Sequence, residues 1–205
     1  MVREEMRKQV FIVTGASGCG KTTTLEFLRS AWGYRFHHEA HLQVIADLGK
    51  KAEGHPLTSR FKRIEEEGHF CPMCNPMGFA NLVLKKQLEI ESEVEDGDLI
   101  ERGYVDAMEY CRRNSRREGC EFKYGKEAFS LYAEVFLMDV VPAVQKAKWG
   151  KSKEERIREG YAINQRLKES YEQEGFPVFV VPPGSVEERA RLIHQRLFNK
   201  TAQRS

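Results

Sequence analysis

No run of about 18 apolar residues occurs in this 205-residue chain, so no helix is expected to cross a membrane. The opening stretch MVREEMRKQV lacks the apolar core of a secretory leader. The expected location is therefore cytoplasmic and reducing, where the five cysteines are thiols or metal ligands sooner than disulfides. An excess of one charge sign is also missing. Lys and Arg number 33 against 31 Asp and Glu, a net charge of +2, which gives no electrostatic argument for nucleic acid or an acidic membrane as partner. No internal repeat or low-complexity linker is visible. Two short motifs are absent as well. Without Asn-Lys-x-Asp to read guanine, a signalling GTPase is disfavoured. Without an apolar run ending in Asp-Glu after the third strand, many ATPase motors are disfavoured too.

What remains reads as one folded domain, residues 1–205, with 40% hydrophobic and 31% charged residues ruling out general disorder. VFIVT (10–14) is a continuous apolar run, as a buried parallel strand requires. A helix is expected from Lys21, with Leu25, Leu28 and Trp32 on one face and Gly33 ending it. YRFHH is a short second strand and EAHLQVIADLGKK a helix. Residues 54–78 are irregular and rich in Gly, Pro and Cys. Phe79, Val83, Gln87, Ile90 and Val94 then fall at helical spacing. DLIE (98–101) is the third strand. The next helix has Tyr104, Met108 and Cys111 on one side, and AEVFLMDVV is the fourth strand. A basic segment leads into a helix ending near Gly175, and PVFVVP is the fifth strand. SVEE (185–188) is a capping box opening a last helix with Ala190, Ile193 and Leu197 inward. Strands alternating with helices predict a three-layer α/β/α domain on a five-stranded parallel sheet. Its excursions are 54–78 and a basic flap at 142–160.

The most specific signal is GASGCGKT. Gly15, Ala16, Ser17, Gly18, Cys19, Gly20, Lys21 and Thr22 fit G-x-x-x-x-G-K-[ST] between a strand and a helix, with Thr23 following. Glycines let successive amides turn inward, and the helix N-terminus completes an anion site. Lys21 is expected on the β- and γ-phosphates of ATP, and Thr22 on Mg²⁺. Cys19 is either a thiolate favoured by the helix N-terminus or a small residue pointing outward. Glu101 ends the third strand, where ligands of such sheets bind, and can hold Mg²⁺ through water; Arg102 beside it offers a fork to an acceptor. Either residue could instead belong to a surface ion pair. Glu39, after the second strand, is a candidate base or a helix-opening acid. His37, His38 and His41 have little claim to a metal. The flap's Lys146, Lys148, Lys151, Lys153, Arg156 and Arg158 either close over a triphosphate or form a solvated face. Cys71 and Cys74 form a Cys-x-x-Cys that Cys111 and Cys120 could complete as a zinc site, with free thiols as the alternative. Arg112–Glu118 lacks the interleaved aromatics of a nucleic-acid surface.

The order of VTGASGCGKTT, HEAHLQVIAD, ERGYVDAMEY and the closing LKESYEQEGFPVFVVPPGSVEERARLIHQRL resembles the P-loop AAA domain of NadR-like kinases and related ATP-binding proteins. The family's Asp-Arg-Gly motif, followed by D-x-x-x-Y, is matched by Arg102, Gly103, Asp106 and Tyr110, with Glu101 in place of the aspartate. Glu39 and Ala40 match the start of its Glu-Ala-Ala-Arg, while His41 and Leu42 replace the rest. Arg156 stands where a D-x-x-R flap arginine belongs. The resemblance implies a nucleoside- or nucleotide-kinase-like core using ATP and Mg²⁺ on a small-molecule acceptor. The rival is an ATP-dependent regulatory switch without such an acceptor. Adenine is expected near PPGS (182–185), on the expectation that the fifth strand ends beside the first.

Overall fold

The computed structural model describes residues 9–51, 76–114, 122–129, 131–147 and 150–202. Cys71, Cys74, Cys120 and Lys148 lie outside these residues. The chain divides into two compact units, Met1–His38 with Glu95–Arg102 and Leu131–Ser205, and Glu39–Val94 with Gly103–Ser130.

The first unit holds a parallel five-stranded sheet. Its strands are β1 (Gln9–Thr14), β2 (Phe36–His37), β3 (Leu99–Glu101), β4 (Leu131–Met138) and β5 (Val178–Val181), in the order β2-β3-β1-β4-β5. Val10, Ile12 and Val13 are fully buried, so the unbroken apolar run of β1 reflects its central place in the sheet. Helix α1 (Lys21–Trp32) follows the loop after β1, and α5 (Lys153–Gln173) and α6 (Val186–Ala202) flank β5 in sequence. Helices cover both sheet faces. Leu25 and Leu28 of α1 and Ala190, Ile193 and Leu197 of α6 form one core with Phe11, Val13, Phe136 and Met138. Each large side chain so buried contributes about 1.5–3 kcal/mol. On α5, Leu167 and Tyr171 are buried, with the Tyr171 ring 6.5 Å from that of Tyr132.

The helix boundaries have local causes. Gly33 adopts φ 74° and donates its N–H to the Arg29 carbonyl, ending α1 as its sequence predicts. Ser152 and Glu155 cap α5 reciprocally, and Ser185 and Glu188 do the same for α6. Three expectations need correction. Trp32 is more than a third exposed and stacks on His194 at 4.4 Å instead of entering the core. β5 borders β4, whereas β1 lies between β3 and β4, so the fifth strand does not end beside the first. A helix already begins at Pro76, inside the stretch read as irregular.

The second unit contains α2 (Ala40–Lys51), α3 (Pro76–Glu93) and α4 (Tyr104–Asn114). Phe79, Val83, Gln87 and Ile90 are buried on α3, as the periodicity predicts. Gln87 is tolerated in that stripe because its Nε2 donates to the Glu91 carboxylate at 2.8 Å. Tyr104 stacks on Phe129 at 4.4 Å, and Phe79 meets Tyr110 edge-on. Cys111 is fully buried, a small apolar member of this packing.

Candidate functional site

The turn between β1 and α1 needs glycine where it is tightest. Gly15 has φ 135°, and a Cβ there would lie 2.6 Å from the Met138 carbonyl oxygen. The loop therefore rests against the end of β4 in a way no side chain allows. Gly18 and Gly20 are also left-handed, at φ 79° and 85°. Lys21, 6% exposed, folds back so that its Nζ donates to the carbonyls of Gly15 at 3.1 Å and Ala16 at 3.2 Å. Cys19 points inward and is buried in the core beside Leu25 and Leu28, which corrects the expectation of an outward thiol.

Glu101 lies at the end of β3, paired across from Val13 of β1. That register places its carboxylate beside the loop. Oε1 accepts the Thr22 hydroxyl proton at 2.7 Å, and Oε2 faces Nδ1 of His38 at 3.7 Å. Glu101 is 2% exposed, so its charge is shielded from bulk water. Hydroxyl and carboxylate oxygens this close are the hard donors that Mg²⁺ accepts, so Thr22 and Glu101 fit such an ion. Among the described residues no cluster of three or more His, Cys, Asp or Glu is arranged to hold a metal. His37 instead pairs with Asp98 at 2.9 Å.

Arg102 follows with φ 66°, a left-handed conformation for a residue bearing a Cβ. Its N–H donates to the Val13 carbonyl at 3.1 Å, which continues the β1–β3 ladder across the bend. A backbone outlier of this kind costs about 1–3 kcal/mol and concentrates at functional sites.

Among the described residues, three polar side chains grip the loop from outside, and no sequence motif marks them. Asn164 of α5 is buried; its Oδ1 accepts the Ala16 N–H at 2.8 Å and its Nδ2 donates to the Met138 carbonyl at 3.0 Å. Gln145, after a short 3₁₀ turn at Pro142–Val144, donates from Nε2 to the Gly18 carbonyl at 3.0 Å. Arg189 of α6 donates to the carbonyls of Cys19 and Asp139. Burial pulls the Arg189 guanidinium below its ordinary proton affinity, while Cys19 and Asp139 oppose that shift. Gly160 lets α5 come close: a Cβ there would meet Val140 Cγ2 at 2.9 Å.

The remaining predicted residues are placed as follows. Arg156 donates to the Lys146 carbonyl at 3.2 Å, within the basic segment itself. Lys151 pairs with Glu159 at 2.7 Å. Glu39, in the second unit, faces His41 at 3.1 Å. Asp106 accepts the Gly103 N–H at 3.2 Å, which gives it a capping role at the start of α4. Of the four candidate zinc cysteines, Cys111 alone falls in the described residues.

A family model for an AAA domain matches residues 10–189. No curated protein matches the chain in sequence. Among solved structures, a deoxyadenosine kinase from M. mycoides with dCMP and dCDP superposes with a TM-score of 0.60 at 18% identity, covering 93% of this chain and 99% of that one. The YorR protein of Bacillus subtilis, in complex with phosphorylated GDP, gives 0.56 at 12% identity over 95% and 98%. Shikimate kinase from Bacteroides thetaiotaomicron gives 0.51 at 16% over 92% and 98%.

Proposed function

The chain belongs to the AAA domain family, with the P-loop NTPase fold, and from that premise we propose that it is an ATP- and Mg²⁺-dependent phosphotransferase acting on a nucleoside- or nucleotide-like small molecule. The observation that carries this reading is the Thr22–Glu101 contact of 2.7 Å beside Lys21 at the mouth of the phosphate loop. A loop that only held phosphate would not need a buried carboxylate on the hydroxyl of its own Thr. A Mg²⁺ held by Thr22 and Glu101 would neutralise charge on the phosphates.

The roles follow from the chemistry of each group. The loop residues Gly15–Thr23 cradle the phosphates through backbone N–H groups. Lys21 leaves the Gly15 and Ala16 carbonyls and donates hydrogen bonds from its Nζ ammonium to phosphate oxygens. Arg102 presents its guanidinium to the acceptor, and its strained backbone is consistent with a side chain held for function. Glu39 remains the candidate base through its place directly after β2. Arg156 exchanges the Lys146 carbonyl for phosphate oxygens when the basic segment closes and excludes water. Fold likeness to a deoxyadenosine kinase and a shikimate kinase supports a small-molecule acceptor without naming it. Four-cysteine zinc binding by Cys71, Cys74, Cys111 and Cys120 rests on sequence spacing. Metal analysis of purified protein without stoichiometric zinc would end it.

The test is ADP release with ATP and Mg²⁺, alone and against nucleosides, nucleotides and ribosylated vitamins, with Lys21→Ala as the blank. One acceptor should raise turnover at least tenfold over water, and the variant should lose it. The switch reading is favoured by one observation: Arg156 and Lys151 of the flap are engaged by the flap's own groups. ATP binding without stimulation by any acceptor would move the conclusion to that reading.

A further inference from the structure

Among the described residues two cations are buried at the phosphate loop, and they are held differently. Lys21 rests on carbonyls inside the loop's own turn. Arg189 comes from the last helix, 170 residues later in sequence, and reaches the loop from behind. It is 3% exposed, and its guanidinium hydrogen-bonds two carbonyl oxygens, those of Cys19 and Asp139. Among the described residues its Nε finds no hydrogen-bond partner. Burying a guanidinium is costly even with the Asp139 carboxylate near enough to favour its charge, since both hydrogen bonds it makes go to neutral carbonyl oxygens. The ordinary role of an arginine on an amphipathic helix is a solvated one, as Arg191 on the same helix shows by pairing in the open with Glu187.

The geometry of the peptide plane shows what this contact does. A trans peptide is planar, so its C=O and the following N–H point in opposite directions. Holding the Cys19 C=O from one edge of that plane points the Gly20 N–H out of the opposite edge. The contact is close at Gly20 itself, where a Cβ would lie 3.4 Å from Nη1 of Arg189. Gly20 is left-handed and ends the loop where α1 begins. A glycine there has the most freedom to swing its peptide and therefore the most need of a fixed partner.

We propose that Arg189 is a positioning residue of the phosphate loop. It locks the Cys19–Gly20 peptide so that the Gly20 N–H is presented to a polyphosphate, and it adds a buried positive charge behind that peptide. This rests on the reading that the loop binds nucleotide phosphates. Donors fixed in advance bind an anion better than donors that must reorient.

The experiment uses the full-length chain and two probes, ATP and inorganic tripolyphosphate. Affinities are measured by calorimetry for the natural chain, Arg189→Met, Arg189→Lys and Arg191→Met. Arg189→Met keeps the length of the side chain without donors and is expected to lose at least about tenfold in both affinities, near the worth of one charged hydrogen bond. Arg189→Lys, keeping the charge and one donor, should recover part of that loss. Arg191→Met removes an equal charge from the open face and should stay within about twofold. A purely structural role would lower the melting temperature and leave the affinity of the folded protein unchanged, which overturns the proposal. A second readout covers failure of Arg189→Met to fold: in the natural chain the Gly20 amide proton should shift downfield as tripolyphosphate is added. An unmoved Gly20 resonance in a chain that binds the probe overturns the proposal and spares the phosphate reading. A natural chain that binds neither probe overturns both.

Discussion

Replacing Asn164 by Leu should damage the phosphate loop without changing a residue of it. The two side chains are similar in size, so the packing of α5 is largely kept. What is lost is a pair of buried hydrogen bonds, to the Ala16 N–H at 2.8 Å and the Met138 carbonyl at 3.0 Å. Asn164 is 6% exposed, so water cannot replace the amide. Each buried backbone group left without a partner costs about 1–3 kcal/mol, and two together cost roughly 2–6 kcal/mol, a large share of a stability of about 5–15 kcal/mol. For a chain of this size that is a fall in Tm on the order of 10 °C. Thermal and urea unfolding followed by circular dichroism measure it, and ATP titration of the folded variant shows whether the loop loses affinity as well. A loss under about 1 kcal/mol would mean that the two groups find other partners. The account of Asn164 as a strut of the loop would then be wrong.

Arg102→Gly removes a left-handed penalty of about 1–2 kcal/mol and adds a glycine entropy cost of about 0.5–1 kcal/mol. Against Arg102→Ala, which loses the same side-chain interactions and keeps a Cβ, Arg102→Gly should melt about 1–3 °C higher, while both variants lose acceptor-stimulated turnover at least tenfold; a Gly variant melting no higher than the Ala variant would show that φ 66° is not a strained state. Glu188, fully exposed in the capping box of α6, is held below the ordinary glutamate value by the Ser185 N–H and hydroxyl. Because its folded value is depressed, the cap stabilises the fold above about pH 4.3 and is lost as pH falls further. Glu188→Gln should flatten that part of the stability profile, and an unaltered acid slope would assign the acid sensitivity to other groups.

Local signals made the sheet and the loop legible. β1 was readable because a strand buried on both faces needs no alternation, and α1 and α6 because caps and apolar spacing agree within a few residues. Glu101 could be reached from the rule that ligands sit at strand ends, since β3 lies beside β1. The three side chains gripping the loop could not. Gln145, Asn164 and Arg189 lie 127, 148 and 170 residues from the groups they hold, and no short pattern carries contacts of that separation. In sequence Asn164 sits among Gln165, Arg166 and Lys168, and Arg189 follows two glutamates, so both read as solvated helix faces. Strand order failed for a related reason: an apolar run declares a buried strand and not its neighbour, and β5 pairs with β4. Trp32 misled because helical spacing put it in line with Leu25 and Leu28, while the turn at Gly33 ends the helix where the core also ends.

Consistency between levels separates scaffold from site in the first unit. At Gly33, Ser152 and Ser185 the local preference, the cap and the packing agree, so these positions are explained by folding alone. At Arg102, Lys21 and Arg189 they disagree. Arg102 takes a conformation glycine would take more cheaply, and Lys21 and Arg189 are buried on carbonyl oxygens. Folding by itself selects against all three. They lie around one turn of backbone and the Thr22–Glu101 pair, and two of the three are buried positive charges. Lys21 and Arg189 are held on carbonyl oxygens of one turn, and under the proposed reading a polyphosphate would bring negative charge to the place where the amides converge.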